Sequence, residues 1–202
     1  MACPAALADA PPAAPTGPPV VVDVAVVGAG ALGAAVAWHL ARRGAQVALL
    51  ERCGAGDVWR AAGRAVWGEA DAQPRLVDEA GVLWREIERE TGASLLHTGC
   101  AGRQIRAGHA VAALTAAAAA WGAVLRHREP VRSIELQGGP GARLRTRTGT
   151  LHAWRVVLAG ARPAELVPPR HRTRGPVVTA AAAGSFVVPA LGRVLADSAE
   201  CR

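Results

Sequence analysis

The fold of this chain is decided by residues 21–52, VVDVAVVGAGALGAAVAWHLARRGAQVALLER. The stretch holds an apolar run, glycines at positions 28, 30 and 33, a helical pattern, a second apolar run and then Glu51. Short apolar runs rich in β-branched residues are typical of parallel strands buried on both faces. The order of strand, glycine turn, helix, strand and acid predicts a βαβ unit that binds a dinucleotide.

Each part of this predicted unit has a physical role. Gly28 permits the tight turn after the strand, Gly30 lets backbone approach a pyrophosphate, and Gly33 lets the helix pack on the strand. The N–H groups of the first helical turn hold phosphate oxygens with the help of the helix dipole. Glu51 stands where an acid accepts hydrogen bonds from a ribose hydroxyl. The residues of this unit predicted to bind the cofactor are Gly28, Ala29, Gly30, Ala31, Leu32, Gly33, Glu51 and Arg52. A βαβ packing unit without a ligand is the alternative.

The composition excludes several classes of protein. The chain has 202 residues, 51% hydrophobic and 19% charged, which is typical of a globular protein with one domain or one domain and part of another. Its net charge of +7 comes from arginines scattered along the chain from Arg42 onward, and aromatic residues make up 3%. A nucleic-acid-binding protein gathers its positive charge on one face, so we expect no nucleic-acid partner. No run approaches the ~18 apolar residues of a membrane span, so we expect no membrane partner either.

The four cysteines are far apart and form no CxxC pair. They predict neither a zinc site nor a disulfide framework, and they favour a cytoplasmic location. Residues 1–19 are rich in alanine and proline and lack the basic start and unbroken apolar core of a secretory signal. This segment is predicted to be a disordered tail.

Periodicity predicts most of the remaining elements. Residues 74–90 have the i, i+3, i+4, i+7 apolar spacing of an amphipathic helix, and a second, alanine-rich helix is expected from Arg106 to about Gly122. Short antiparallel strands are predicted over residues 124–125, 131–136, 142–146 and 150–152, a buried strand over 155–159, and further strands over 177–179 and 186–188. The last dozen residues are expected to fray. No Ser/His/Asp group and no metal-ligand group stands out, so catalysis would depend on the cofactor.

Several segments resemble the FAD-dependent amine oxidoreductases typified by sarcosine oxidase, glycine oxidase and D-amino acid oxidase. Residues 24–52 are similar to the flavin motif of that family, and WGEADAQPRLVDEAGVLWREIERETG, residues 67–92, is similar to its sarcosine oxidase branch. Residues 110–136 and 155–161 resemble the later helix and strands. The resemblance implies an α/β fold, with a Rossmann-like dinucleotide-binding sheet and a small, incomplete β-rich second lobe.

The same resemblance implies FAD as the cofactor and adds three site residues. Val131 matches the position that holds the adenine through its backbone, and Gly160 the position that lines the flavin. Arg64 matches the second of two arginines that precede the aromatic-Gly-Glu step, whereas Ala61 replaces the first. Arg64 is therefore the one catalytic candidate, for steering an anionic substrate or the flavin, and a solvated arginine is the alternative.

The resemblance also implies a domain organisation and an activity. Residues 1–19 would be the tail, 20–169 the FAD-binding domain with a reduced substrate-domain insertion around 93–105, and 170–202 a remnant of the substrate domain or an irregular C-terminus. The implied enzyme oxidises a C–H bond next to an amine, in an amine or amino-acid substrate, and passes electrons to oxygen. The alternatives are a truncated, inactive nucleotide-binding relative and an NAD-dependent dehydrogenase. A partner chain that supplies the missing substrate half is a further expectation.

Overall fold

The computed structural model describes residues 20–63, 65–70, 72, 74–100, 102–136, 141–159, 166, 177–179 and 185–200. Within these residues the chain forms two sheets and a layer of helices. The elements, in chain order, are β1 (Val20–Val27), α1 (Ala31–Arg42), β2 (Val47–Leu50), α2 (Ala55–Ala62), β3 (Val66–Gly68), α3 (Pro74–Thr91), β4 (Leu96–Gly99), β5 (Gly102–Arg106), α4 (Ala107–Ala120), β6 (Val124–Arg126), β7 (Val131–Leu136), β8 (Ala142–Thr146), β9 (Thr150–Leu158), β10 (Val177–Thr179) and α5 (Val188–Glu200).

The larger sheet has the strand order β6-β2-β1-β9-β8-β7, and β10 also pairs with β9. The strands β6, β2, β1, β9 and β10 run parallel, whereas β7, β8 and β9 pair antiparallel. β9 is shared between the two patterns, because β8 pairs with its first half and β10 with its second. The carboxyl ends of the parallel strands meet at one edge, which is where ligands bind in open α/β sheets.

Toward their carboxyl ends the central parallel strands β1, β2 and β9 are buried on both faces, which explains the apolar runs there. On one face, Val26 and Leu49 belong to the core formed with α1, α3, α4 and α5. On the other face, Leu50 packs in a second core with Ile134 of β7 and Leu144 of β8. The antiparallel strands therefore cover the face that the helices leave open.

The smaller sheet consists of β3, β5 and β4, in that order, and all its pairs are antiparallel. It lies between α2 and α4 in the sequence, and β5 leads directly into α4. This sheet is the small β-rich lobe that the sequence predicts.

Most of the predicted elements are confirmed, and two strand predictions differ from the structure in pairing or extent. β6 was expected among the antiparallel strands, but it pairs parallel with β2. Residues 150–152 and 155–159 were expected as two strands, but they form the single strand β9. The reason is tertiary, because β1 pairs with β9 over residues 151–158 and holds the two parts in one line.

The predictions of a strand over residues 186–188 and of a frayed C-terminus are wrong, because α5 spans Val188–Glu200. Pro189 lies in the first turn of this helix, where its missing N–H costs no hydrogen bond. Gly192 faces α1 so closely that an added Cβ would lie 2.6 Å from the Cβ of Ala35. The division into residues 1–19, 20–169 and 170–202 stays a prediction. None of the helices in the described ranges combines the length and apolar character that a membrane crossing requires.

Candidate functional site

The glycine turn after β1 begins with a backbone conformation that favours glycine. Gly28 has φ +106°, which L side chains rarely adopt. Its N–H group donates a 2.8 Å hydrogen bond to the carbonyl of Leu50, so the turn is fixed to the end of β2. The chain then reverses into α1 directly above the edge of the sheet.

Gly33 allows α1 to begin close against this turn. A Cβ added at Gly33 would lie 1.8 Å from the carbonyl oxygen of Gly28 and 3.3 Å from the Cβ of Ala159. The N–H of Ala159 donates to the carbonyl of Val27, at 2.9 Å, so the end of β9 is also held at this point. Gly33 is therefore required by packing among β1, β9 and α1.

Gly30, in contrast to Gly33, faces open space. It is the N-cap residue of α1, its φ is −66°, and an added Cβ would find no heavy atom within 4 Å. No side chain caps the helix, and its first turn holds no acidic residue. The first hydrogen bond of the helix runs from the N–H of Ala34 to the carbonyl of Gly30, so the N–H groups before Ala34 have no acceptor within the helix. The result is an open helix end that favours an anion.

The carboxylate of Glu51 faces this glycine turn. Its Oε2 accepts a 2.9 Å hydrogen bond from the N–H of Ala29, and its Oε1 accepts one of 2.9 Å from the N–H of Cys53. An ionised carboxylate has about four acceptor positions, so about two remain for other donors. Arg52, the next predicted binding residue, is exposed. Cys53 is disulfide-bonded, so the expectation that the cysteines form no disulfides is wrong for this residue.

The corner between β6 and β7, residues 127–130, passes along the tip of β2. The N–H of Glu51 donates to the carbonyl of Arg126 at 2.9 Å, and the N–H of Glu129 donates to the carbonyl of Glu51 at 2.8 Å. Val131 follows two residues later as the first residue of β7. The structure thus brings the predicted adenine residue and the predicted ribose residue to the same end of the sheet.

Two predicted site residues, Gly160 and Arg64, lie outside the described residues. The aromatic-Gly-Glu motif that follows Arg64 lies within the described residues, and its acid, Glu69, is hydrogen-bonded to Arg103. Glu69 accepts a hydrogen bond from the backbone N–H of Arg103, at 2.9 Å, and another from its Nε, at 2.6 Å. These bonds, the backbone one first, lower the pKa of Glu69. The aromatic-Gly-Glu step therefore joins β3 to β5.

The buried histidine is remote from the glycine turn. His39 lies near the end of α1, and its Nε2 is 2.9 Å from the carbonyl oxygen of Pro189. Burial lowers the pKa of His39 to about 4, partly offset by this hydrogen bond and reinforced by Arg43 and Arg42. In the part of the chain that the structure describes, no three His, Cys, Asp or Glu side chains are grouped as metal ligands.

One residue of the site region was missed by the sequence analysis. Glu129 is 7% exposed, and its carboxylate accepts hydrogen bonds from hydroxyls of two threonines beyond β7. The signal available in the sequence was weak, since it consisted of an acid before Pro130 and threonines at positions 146 and 148. A buried acid of this kind is recognised only once its donors are known.

The parallel sheet, the glycine turn and the acid at the tip of β2 define a dinucleotide-binding protein of the Rossmann type. Residues 23–103 match the DAO family model of FAD dependent oxidoreductases. FAD is the cofactor of the family. The resemblance, fold class and cofactor inferred from the sequence are thereby confirmed.

Solved structures give the same result for the fold. NikD, an unusual amino acid oxidase essential for nikkomycin biosynthesis, is 25% identical with a TM-score of 0.63, over 74% of this chain and 54% of NikD. Glycine oxidase from Geobacillus kaustophilus is 24% identical with a TM-score of 0.60, over 73% of this chain and 57% of the oxidase. THI4 from Thermovibrio ammonificans is 17% identical with a TM-score of 0.59, over 89% of this chain and 88% of THI4. No curated protein matches the sequence significantly.

Two of these matches cover only part of the similar protein. The chain spans about half the length of NikD and of the glycine oxidase. The match to THI4 covers nearly the whole of both chains, but at 17% identity it shows the fold alone.

Proposed function

We propose that the chain binds FAD at the carboxyl ends of β1, β2 and β9, and that it forms the cofactor-binding part of an oxidoreductase acting on a C–H bond next to an amine. The observation that carries the proposal is the convergence of an open helix end at Gly30 with the carboxylate of Glu51. The helix end binds a negatively charged pyrophosphate, and the carboxylate accepts a hydrogen bond from a ribose hydroxyl. Both are needed for a dinucleotide.

The residues present fit the adenosine diphosphate part of FAD. The space in front of Gly30 lets phosphate oxygens reach the N–H groups of the first turn of α1. Glu51 is already oriented by two backbone N–H groups and keeps acceptor positions for hydroxyl donors. The backbone of Val131, at the start of β7, would hold the adenine, and Gly160 would line the flavin. The positive end of α1 has no acidic side chain in its first turn to compete with the phosphates.

When bound, FAD supplies a hydride acceptor for the substrate C–H bond and a route for electrons to oxygen. The chain's own contribution is to bind and orient the dinucleotide through α1, Glu51 and Val131. Arg64 would steer an anionic substrate or the flavin by its charge. An amine or amino-acid substrate is supported by two similar proteins, one an amino acid oxidase and the other a glycine oxidase.

The test is an absorbance spectrum of the freshly isolated protein, followed by titration with FAD. We expect flavin absorbance near equimolar with the chain. Glu51→Ala should weaken FAD binding by roughly 1–3 kcal/mol, because a charged hydrogen-bond acceptor is lost. Glu51→Gln, which keeps one side-chain oxygen, should lose less. An isolated wild-type protein that neither contains nor binds flavin would contradict the proposal.

The same preparation separates the alternatives. A colourless protein stabilised against heat by NADH would indicate a nicotinamide-dependent dehydrogenase. A flavin that no amine or amino acid bleaches would indicate an inactive relative. No comparison supports the expected partner chain, and the cytoplasmic location stays a prediction.

A further inference from the structure

The β6–β7 corner, residues 127–130, is held by a buried carboxylate. Glu129 is 7% exposed, and its Oε1 accepts hydrogen bonds from Thr146 Oγ1 at 2.7 Å, from Thr148 Oγ1 and from Arg126 Nη1 at 3.2 Å. A buried carboxylate is costly unless it is paired and hydrogen-bonded, and here three donors converge on one oxygen. The site of Glu129 is therefore built for a charged acceptor.

These donors come from separate elements. Arg126 ends β6, Thr146 ends β8, and Thr148 lies in the turn that leads to β9. The same turn is closed by a 2.9 Å hydrogen bond from the N–H of Thr146 to the carbonyl of Gly149. Glu129 thus ties the β6–β7 corner to the β8–β9 turn across β7.

The backbone of the corner is strained and is held by its neighbours. Arg128 has φ +56°, a left-handed conformation that a non-glycine residue keeps only when its surroundings determine it. Its N–H donates to the carbonyl of Cys53 at 3.0 Å, and its carbonyl accepts from Arg147 Nε at 3.2 Å. In the same corner, His127 Nδ1 is the one buried side-chain nitrogen or oxygen of the described residues that has no hydrogen-bond partner. Strain and unsatisfied polar groups of this kind concentrate at functional sites.

We propose that Glu129 is a positioning residue for the adenosine end of the dinucleotide site. Its backbone N–H is bonded to the carbonyl of Glu51, and two residues later the chain presents Val131. The buried carboxylate of Glu129 holds the β6–β7 corner in place. The corner in turn sets the distance between Glu51, which accepts the ribose hydroxyls, and β7, which faces the adenine. The ligand class is an adenine nucleotide, and the inference rests on the proposed function of the same site.

The experiment uses the full-length chain and ADP as the probe, because ADP carries the part of FAD that this corner would hold. ADP affinity is measured by calorimetry at a temperature where every variant is fully folded. Glu129→Gln should weaken ADP binding about tenfold, or ~1.4 kcal/mol. Glu135→Gln is the matched control, since Glu135 lies on β7 and its carboxylate pairs with the exposed Arg145. This control should bind ADP as the wild type does.

A second pair of variants keeps the test decisive should Glu129→Gln fail to fold. Thr148 is exposed and donates its hydroxyl to Glu129, so Thr148→Val removes one donor from the corner with little effect on the core. We expect Thr148→Val to weaken ADP binding and Thr148→Ser to restore it. Amide hydrogen exchange at Glu51 and Glu129 should accelerate in Thr148→Val and not in Thr148→Ser.

A purely structural role for Glu129 predicts another pattern, in which the melting temperature falls while ADP affinity of the folded protein is unchanged. That pattern overturns the inference and leaves the proposed function intact. A wild-type chain that binds neither FAD nor ADP overturns both. ADP affinity reduced equally by Glu129→Gln and Glu135→Gln also overturns the inference, because the effect would then not depend on the buried position of Glu129.

Discussion

The two ends of α1 are built in opposite ways. At the amino-terminal end, Gly30 carries no side chain, faces open space and leaves the helix uncapped. At the carboxyl-terminal end, Trp38 and Arg42 are surrounded by partners. Trp38 Nε1 donates to Glu90 Oε2 at 2.8 Å, the guanidinium of Arg42 lies 5.0 Å from the Trp38 ring, and Arg43 pairs with Asp197 at 2.7 Å.

Because of this difference, the amino-terminal end of α1 is available for binding, whereas its carboxyl-terminal end stabilises the fold. Polar groups that a helix leaves unsatisfied at its amino end are available to a ligand, whereas those satisfied at the other end hold the helix in the core. Substitutions at the open end should change cofactor affinity with little effect on the free energy of unfolding. Substitutions in the packed part should do the reverse.

The largest effect is expected for Gly30→Val. The added side chain enters the open space in front of α1 and blocks the approach of a pyrophosphate, so FAD affinity should fall at least ~100-fold, about 3 kcal/mol. The φ of −66° at this position suits any residue, so the urea midpoint should change little. Equilibrium dialysis with FAD and urea unfolding measure the two quantities. Ala116→Val, at an exposed position of α4, controls for the added β-branched side chain. FAD retention equal to that of the wild type would remove Gly30 from the site.

Gly33→Ala should destabilise the fold by about 3 kcal/mol, because its Cβ would meet the carbonyl oxygen of Gly28 at 1.8 Å. Urea denaturation without FAD isolates this cost from any loss of binding. Gly30→Ala is the matched control, three residues away, and its free energy of unfolding should stay within about 0.5 kcal/mol of the wild type. If both alanine variants unfolded at the same urea concentration, the contrast between the open position Gly30 and the packed position Gly33 would be wrong.

The smallest effect concerns pH and the packed end of α1. The pKa of His39 falls from 6.5 to about 4 on folding because the ring is buried. Between these values the unfolded chain binds a proton that the folded chain does not, so stability is fully present above pH 6.5 and is lost as the pH falls toward 4. The loss attributable to this residue is at most about 3 kcal/mol, and below pH 4 it grows no further.

His39→Gln isolates this contribution. The Gln amide can still donate to the carbonyl of Pro189 but does not titrate. Urea unfolding of both proteins between pH 4 and 7.5 gives the difference in free energy, which should shrink as the pH falls. A difference that is constant across this range would show that His39 is not the titrating group.

Much of the fold was predictable because local pattern and tertiary environment agree. In β1 and β2 the apolar runs match strands buried on both faces, and in α3 the apolar stripe matches the buried residues Ala80, Leu83, Trp84 and Ile87. α5 was missed for a local reason: Phe186, Val187 and Val188 form an apolar run next to a proline, which favours a strand by sequence alone. α5 packs closely against α1 at Gly192, a contact with no local signature in the sequence.

The residues of the candidate site were likewise predictable only where local pattern determines their role. The glycines and Glu51 were predictable because their roles follow from spacing along one βαβ unit. Glu129 was not, because its donors at Arg126, Thr146 and Thr148 are brought together only by the pairing of β7 with β8. A resemblance to a family likewise gave Val131 a role without revealing what holds the strand that carries it.

The dual pairing of β9 fixes the length of that strand. Residues 150–153 form the antiparallel ladder with β8, residues 156–158 form the parallel ladder with β10, and β1 spans both. Inserting or deleting one residue between the ladders would turn either Leu151 or Val157 from the core toward the opposite face. The joint between the two ladders is therefore a poor place for a graft, a tag or a permuted terminus, although Trp154 at that joint is among the most solvent-accessible large hydrophobic side chains of the described residues.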